Sequence, residues 1–433
     1  MTTILTVLLI VLVFIYWRRS RMDSLSNNVL FVYAAFWLIS LLLSTLGMND
    51  FPRIRAEAYI YQLIHVFSFF LGFQVIKLST SMSMSDTDIT VSLDKLLKIT
   101  WFNIIIFVFA VYSIYLLSQY FFIALIQDEL SGVRNAYFNY ELYGDFFYSI
   151  RNLILEPLNI ICLFTFAYSI LFKRTWVGAI SLVAILAYNT LSGGRFGYVT
   201  ILEAIILAFF CFQRKRLQFK QIALVGGIAV ILFVFLVYVS AGRSGETESG
   251  NTWRSGREVA EMHILSYTSA PNLAFEYALD NKYKEKMGGF QYGTLTLSSL
   301  EGWFHSLTWR FGGNYTRPLT KLTELTQDNY IELGPNRWNA LYTSSLYYYL
   351  DFGIFGLFFF PFIFGYFTRL VIKKMYIFKS VYLYFLLGYI FLKMLFSVDM
   401  YGVTDIFAPV FMLLLYYLGT RKSNLKPTSY GKY

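Results

Sequence analysis

Residues 99–124 read ITWFNIIIFVFAVYSIYLLSQYFFIA, twenty-six positions without one Asp, Glu, Lys, Arg or His. A helix over this run rises about 1.5 Å per residue, so it outreaches the roughly 30 Å of bilayer hydrocarbon. The run predicts a membrane-crossing helix, and the rest of the chain repeats the pattern. Apolar spans are predicted at 2–17, 28–47, 57–76, 99–124, 147–172, 175–191, 196–212, 221–239, 354–371, 381–398 and 404–420, eleven in all. The whole composition agrees: of 433 residues, 57% are hydrophobic, 20% aromatic and only 14% charged, and the mean hydropathy is +0.53. Too little polar surface exists to cover such a chain in water, which excludes soluble domains, disorder, coiled coil and collagen. Cys162 and Cys211 both lie inside apolar runs, so a disulfide scaffold is excluded and the two read as small packing residues.

A formal net charge of +10 raises the question of nucleic acid. Its distribution answers otherwise. Short basic clusters recur between the spans: Arg18, Arg19 and Arg21; Lys77, Lys95 and Lys98; Lys173 and Arg174; Arg214, Lys215, Arg216 and Lys220; Lys373, Lys374 and Lys379; Arg421 and Lys422. Basic loops mark the cytoplasmic side. With every cluster placed there, the spans alternate consistently, the N-terminus lies outside and the C-terminus inside.

This organisation gives helices one to eight over residues 1–239, a large external loop over 240–340, helices nine to eleven over 341–420 and a cytoplasmic tail over 421–433. The loop carries ten Lys or Arg against eleven Asp or Glu. Its helix signals are three. Val259, Met262 and Ile264 have helical spacing within 254–266; Pro271 stands at a helix-start position before Leu273, Phe275 and Tyr277; and Ser298 with Glu301 forms a capping-box pattern ahead of Trp303, Phe304, Leu307 and Trp309. A helical cap lying on the outer membrane face is expected.

Ionisable groups inside spans are costly and mark function by default. His65, Arg151, Glu156, Arg195, Glu203, Lys393, Asp399 and Asp405 all trace to the outer half of their spans or its edge. This asymmetry predicts a polar cavity opening outward beneath the loop, with Arg151, Glu203 and Lys393 as lining or support. Snorkelling at helix ends, or a buried ion pair of Lys393 with Glu203, is the plainer alternative. External arginines outnumber lysines in the loops, and the planar guanidinium suits phosphate or carboxylate. Arg195 in SGGRFG and Arg243 in AGRSG have flanking glycines that let backbone approach a bulky ligand, whereas Arg254 with Glu258 and Arg257 with Glu261 have the spacing of helix-surface ion pairs. Tyr and Trp side chains crowd the loop, including Trp253, Tyr292, Trp303, Tyr315 and Tyr347 to Tyr349. They belong to a membrane-interface belt or to faces that suit sugar rings. No P-loop, dinucleotide fingerprint, zinc-protease motif or paired Cys/His set is present, so neither metal nor cofactor is expected.

The turn SGGRFG at 192–197, the long loop after the eighth span and the segment GPNRWNALYTSSLYYYLDFGIFG at 334–356 together resemble the Wzy-type oligosaccharide repeat-unit polymerases of O-antigen and capsule assembly. The resemblance implies a GT-C-like glycosyltransferase architecture in the bacterial inner membrane. It implies a substrate, an undecaprenyl diphosphate-linked oligosaccharide embedded among membrane lipid, and pathway partners in a chain-length regulator and a flippase. Nucleic acid has no place in it. The diphosphate would be held by external arginines, Arg195, Arg243 and Arg337 favoured and Arg254, Arg257, Arg310 and Arg317 the further candidates, with Asp351 of the DFG-like turn matching the same pattern as a support. The acceptor hydroxyl would be deprotonated by His263, with Glu258, Glu261 and His305 as alternatives. A ligase of the same lipid-linked donor, a polysaccharide transporter and a non-catalytic scaffold are the competing readings. A transporter would also need charge in the inner halves of the spans.

Overall fold

The computed structural model describes residues 2–20, 25–47, 51–76, 93–127, 154–172, 175–191, 196–212, 227, 266–311, 313, 315–328, 331–333, 336–338, 342–378, 380–396 and 407–422. The structure is almost wholly helical. In chain order it contains α1 (Thr2–Ser20), α2 (Leu25–Leu46), α3 (Ala56–Val75), α4 (Thr100–Gln127), α5 (Glu156–Phe172), α6 (Thr175–Leu191) and α7 (Phe196–Phe212). Then come α8 (Ser266–Asp280), α9 (Tyr283–Lys286), α10 (Ser298–Arg310), α11 (Pro318–Thr323), a two-stranded ribbon of β1 (Ile331–Leu333) and β2 (Asn336–Trp338), α12 (Ser344–Phe378), α13 (Val381–Phe396) and α14 (Phe407–Lys422). A helix therefore overlaps each predicted span except 221–239, of which residue 227 alone is described. Among the described residues, Leu25–Leu46, Ala56–Val75, Thr100–Gln119 and Ser344–Phe378 are long and apolar enough to cross a membrane. Shorter apolar helices accompany them in α1, α5, α6, α7 and α13.

The most extensive helix packing joins α3 to α12. Glycine makes it possible. A Cβ on Gly72 would meet the Phe362 carbonyl oxygen at 1.9 Å, and one on Gly365 would meet the Phe69 carbonyl oxygen at 2.1 Å, so the two backbones touch. Small residues at such contacts are the usual basis of helix association in lipid, where water provides no hydrophobic drive. Near its end Arg369 donates Nε–H to the Ile76 carbonyl at 3.2 Å, placing a cation at the negative end of α3. A second group packs α4 on α6 and α5 on α6 and α7, and α13 bridges the two groups through α2, α5, α7 and α12.

α12 is one helix interrupted. Phe352 (φ −144°, ψ 19°) and Gly353 (φ 61°, ψ −144°) leave helical geometry, and only glycine takes the second of these conformations without strain. The interruption falls at the predicted start of the ninth span, residue 354. Residues 344–351 form a preceding helical segment whose terminal carbonyls would lack partners. A turn from the cap supplies them: Gln291 N–H donates to the Leu350 carbonyl at 3.0 Å and Tyr292 N–H to that of Asp351 at 3.2 Å.

The described part of the 240–340 loop is an ordered cap against the end of the bundle formed by the α2–α3 turn. Its first helix begins earlier than predicted, at Ser266, so Pro271 lies inside α8. Proline lacks the N–H for the carbonyl four residues back and loosens the turn ahead of it. Neighbouring carbonyls of that turn face α2 instead: Ser40 Oγ donates to Thr268 O at 2.6 Å and Ser44 Oγ to Ser269 O at 3.1 Å. Asn272 Nδ2 donates to both serine hydroxyls, at 2.7 and 2.9 Å. The β-ribbon, which no sequence signal announced, pairs Ile331 with Trp338 and Glu332 with Arg337.

Candidate functional site

Three polar constellations gather at the cap end. The first lies between α3 and the start of α12. Gln62 and His65, three residues apart, share one face of an apolar helix. Gln62 Nε2 donates to Thr343 Oγ1 at 2.9 Å, and Ser345 Oγ donates to Gln62 Oε1 at 2.5 Å. The serine's single proton is thereby committed, so His65 Nδ1–H must be the donor in its 2.8 Å contact with Ser345 Oγ. The imidazole sits between Trp37 and Tyr348, with ring centroids at 4.8 and 5.4 Å. The neutral ring carries its acceptor lone pair on Nε2.

The second constellation anchors the break in α12. Asp351 is fully buried. It accepts the Leu295 N–H at 3.2 Å, the Thr296 N–H at 2.7 Å and the Thr296 hydroxyl at 2.5 Å. With its oxygens so occupied this carboxylate is a support, holding the 291–296 turn to the helix.

The third is built on α10 and the segment after it. Glu301 accepts from Tyr315 Oη at 2.9 Å and from Arg317 Nε at 2.9 Å, and Arg317 also donates to the Ser298 carbonyl at 3.1 Å. Gly302 admits the guanidinium, since a Cβ there would stand 2.4 Å from its Nη2. The expected capping-box partner of Ser298 thus directs its carboxylate to a tertiary ion pair. Burial, and after it the Glu301 carboxylate, raise the Tyr315 phenol above its ordinary range. His305 packs edge-on to Tyr315 at 4.7 Å and, because a carbonyl can only accept, donates Nε2–H to Tyr315 O at 3.0 Å. Its neutral form therefore presents Nδ1 as an acceptor, the arrangement a general base requires.

Arg55, at the head of α3, is the counterpart on the other side of the cap. It donates Nε–H to Glu276 at 2.7 Å and pairs with Asp280 one turn further along α8, and both hydrogen bonds raise its pKa. Among the described residues, Arg55 and Arg317 are thus both tied to carboxylates.

Of the other predicted site residues, Glu203 is buried in α7, which packs on α13, where Lys393 stands 5.5 Å over the Tyr389 ring. Glu156 accepts the Tyr188 hydroxyl at 3.0 Å across α5 and α6. Arg310 ends α10 and Arg337 occupies the middle of β2, their side chains outside the described residues. Arg151, Arg195, Arg243, Arg254, Arg257, Glu258, Glu261 and His263 lie outside the described residues altogether. The Gln62–His65–Thr343–Ser345 network was not foreseen, although two polar side chains on one face of an apolar span were its signal. Among the described residues no cluster of three or more His, Cys, Asp or Glu could hold a metal ion. Comparison with known protein families, curated proteins and solved structures returns no match.

Proposed function

We propose that the chain is a membrane glycosyltransferase that polymerises undecaprenyl diphosphate-linked oligosaccharide repeat units at the outer face of a bacterial cytoplasmic membrane, crossing it eleven times with the cap outside. The observation that carries this reading is the cap: a folded, hydroxyl-rich unit fastened to one end of an apolar helix bundle, with His305 held in the tautomer that leaves Nδ1 able to accept a proton. No nucleoside triphosphate is available on that side, so glycosidic bond formation draws on the donor's own diphosphate. Arg55 and Arg317 are neutralised by carboxylates, which leaves the diphosphate to Arg195, Arg243, Arg254, Arg257, Arg310 and Arg337. Their charge stabilises the leaving group electrostatically, while His263 or His305 takes the acceptor hydroxyl proton.

Purified protein in liposomes with labelled lipid-linked repeat units tests the reading. A ladder of products is expected, and Arg243→Ala should slow its growth on the order of a hundredfold, the usual effect of removing one charge-stabilising donor. A single transfer to a different lipid acceptor would identify a ligase, and no transfer by a well-folded protein would remove the enzymatic assignment. His263→Ala and His305→Ala, assayed side by side, assign the base to whichever abolishes chain growth.

A further inference from the structure

The orientation of α10 is inverted relative to a helix on a water-facing surface. Its polar side faces the protein: Ser298 and Gly302 are buried, Glu301 binds Arg317 and Tyr315, and His305 binds the Tyr315 carbonyl. Its apolar side faces away. Leu297, Leu300, Phe304 and Phe311 recur at intervals of three, four and seven along one stripe, with Trp303 beside it, and all are exposed, Phe304 at 62% and Phe311 at 88%. That is the stripe an amphipathic helix normally buries. Left in water it would form a contiguous apolar patch of the kind that marks a membrane or protein contact.

The surroundings select the membrane. The 291–296 turn that leads into α10 is pinned to the break in α12, with the Tyr292 ring 6.1 Å from that of Phe352. Immediately beyond the break, Ile354, Phe355, Phe358 and Phe359 are exposed on a helix long and apolar enough to cross a bilayer. The stripe on α10 therefore begins just after the turn pinned at the break, where the exposed apolar face of α12 also begins.

We infer that α10 is an interfacial helix, with Leu297, Leu300, Trp303, Phe304 and Phe311 embedded in the leaflet at the cap end and the Glu301–Arg317–Tyr315–His305 cluster held on its protein side. The occupant of the stripe is lipid acyl chain. Interfacial helices seat their apolar face at the boundary of headgroup and acyl chain. The inference stands independently of the polymerase reading.

Site-directed spin labelling of the full chain in phosphatidylethanolamine/phosphatidylglycerol liposomes tests it. Nitroxides are placed through Phe304→Cys and, as a water-facing control on the exposed edge of α9, through Glu285→Cys; the unsubstituted chain, whose Cys162 and Cys211 are buried, gives the background. Oxygen concentrates in hydrocarbon and a nickel chelate stays in water. The label at 304 should collide several-fold more with oxygen than with nickel, and the label at 285 should show the reverse. Nickel access at 304 equal to that at 285 would overturn the inference. So would dipolar broadening at 304, which would mean that a second copy of the chain covers the stripe. Phe311→Cys, at a still more exposed site, gives the same reading if the first variant folds poorly.

Discussion

The two halves of α12 meet their surroundings in different ways. Residues 344–351 are joined by hydrogen bonds: Ser345 to Gln62 and His65 on α3, and Asp351 to Leu295 and Thr296 in the cap. Residues 353–378 are joined mainly by shape, with Gly365 against the backbone of α3 and Phe362 against Gly72, and one hydrogen bond from Arg369 to the Ile76 carbonyl at the far end. The second half belongs to a helix long and apolar enough to cross a membrane, where an unpaired polar group would cost several kcal/mol, so close contact does most of the holding. At the first half the cap delivers backbone N–H groups in need of acceptors, and directional bonds fix its angle to the helix. The break at Phe352–Gly353 separates a segment that positions the cap from a segment that packs in the bundle.

Removing a polar anchor should cost most. Asp351→Ala leaves two buried N–H groups without an acceptor, each worth about 1–3 kcal/mol, for a total of about 4 kcal/mol. Asp351→Asn, which keeps one acceptor oxygen, should lose about half of that. Heating in detergent while a maleimide reports on buried Cys162 and Cys211 measures both variants; a wild-type transition in Asp351→Ala would show that the cap is not held through this carboxylate. Gly365→Ala breaks the other half. Its methyl meets backbone at 2.1 Å, so the helices must separate, at about 2–3 kcal/mol by the scale of overpacking. Compensating room cannot be made by a rotamer change, and an unaltered transition would refute the contact. Ser345→Ala should cost about 1–2 kcal/mol, since interhelical hydrogen bonds in membranes are individually modest. A double-mutant cycle with Gln62→Ala should return a coupling of about 1 kcal/mol, and zero coupling would break the proposed His65–Ser345–Gln62 chain.

Sequence signals reached the second half of α12 better than the first. Uninterrupted apolar length predicted a span starting at 354, because lipid imposes a length requirement that composition alone reveals. Asp351 was reached only through the resemblance, and the break at Gly353 was not anticipated. Tertiary partners were not visible. Glu301 fits a local capping box, yet Arg317, sixteen residues away, holds its carboxylate, and an ion pair between separate segments leaves no periodic trace. Pro271 reads as a helix start because of its missing N–H, but Ser40 and Ser44 of α2 stabilise the turn ahead of it. Arg317 shows the same limit at the candidate site: an arginine in a loop looks like a phosphate ligand until its neighbouring acid is known.

The smallest expected effect tests whether the polar half of α12 is coupled to the cap's own interior. Tyr342, just ahead of the helix, is buried beside Tyr283, whose hydroxyl donates to Leu325 O at 2.9 Å. Burial, and then the neighbouring Tyr283, push the Tyr342 phenol well above its ordinary value of 10.0. A raised folded pKa means that the unfolded chain releases its proton first. The stabilisation is therefore whole below pH 10 and is lost progressively above it, at about 1.4 kcal/mol for each further pH unit. Tyr342→Phe cannot ionise, so its unfolding temperature should fall less steeply than that of wild type between about pH 10 and 11, after allowing for the alkaline response of other tyrosines shared by both proteins. Parallel slopes would place Tyr342 in contact with water and uncouple it from the cap. A shallower slope together with an unchanged midpoint at neutral pH would show that this ring serves packing alone, which distinguishes it from Asp351, where the polar atoms themselves hold the join.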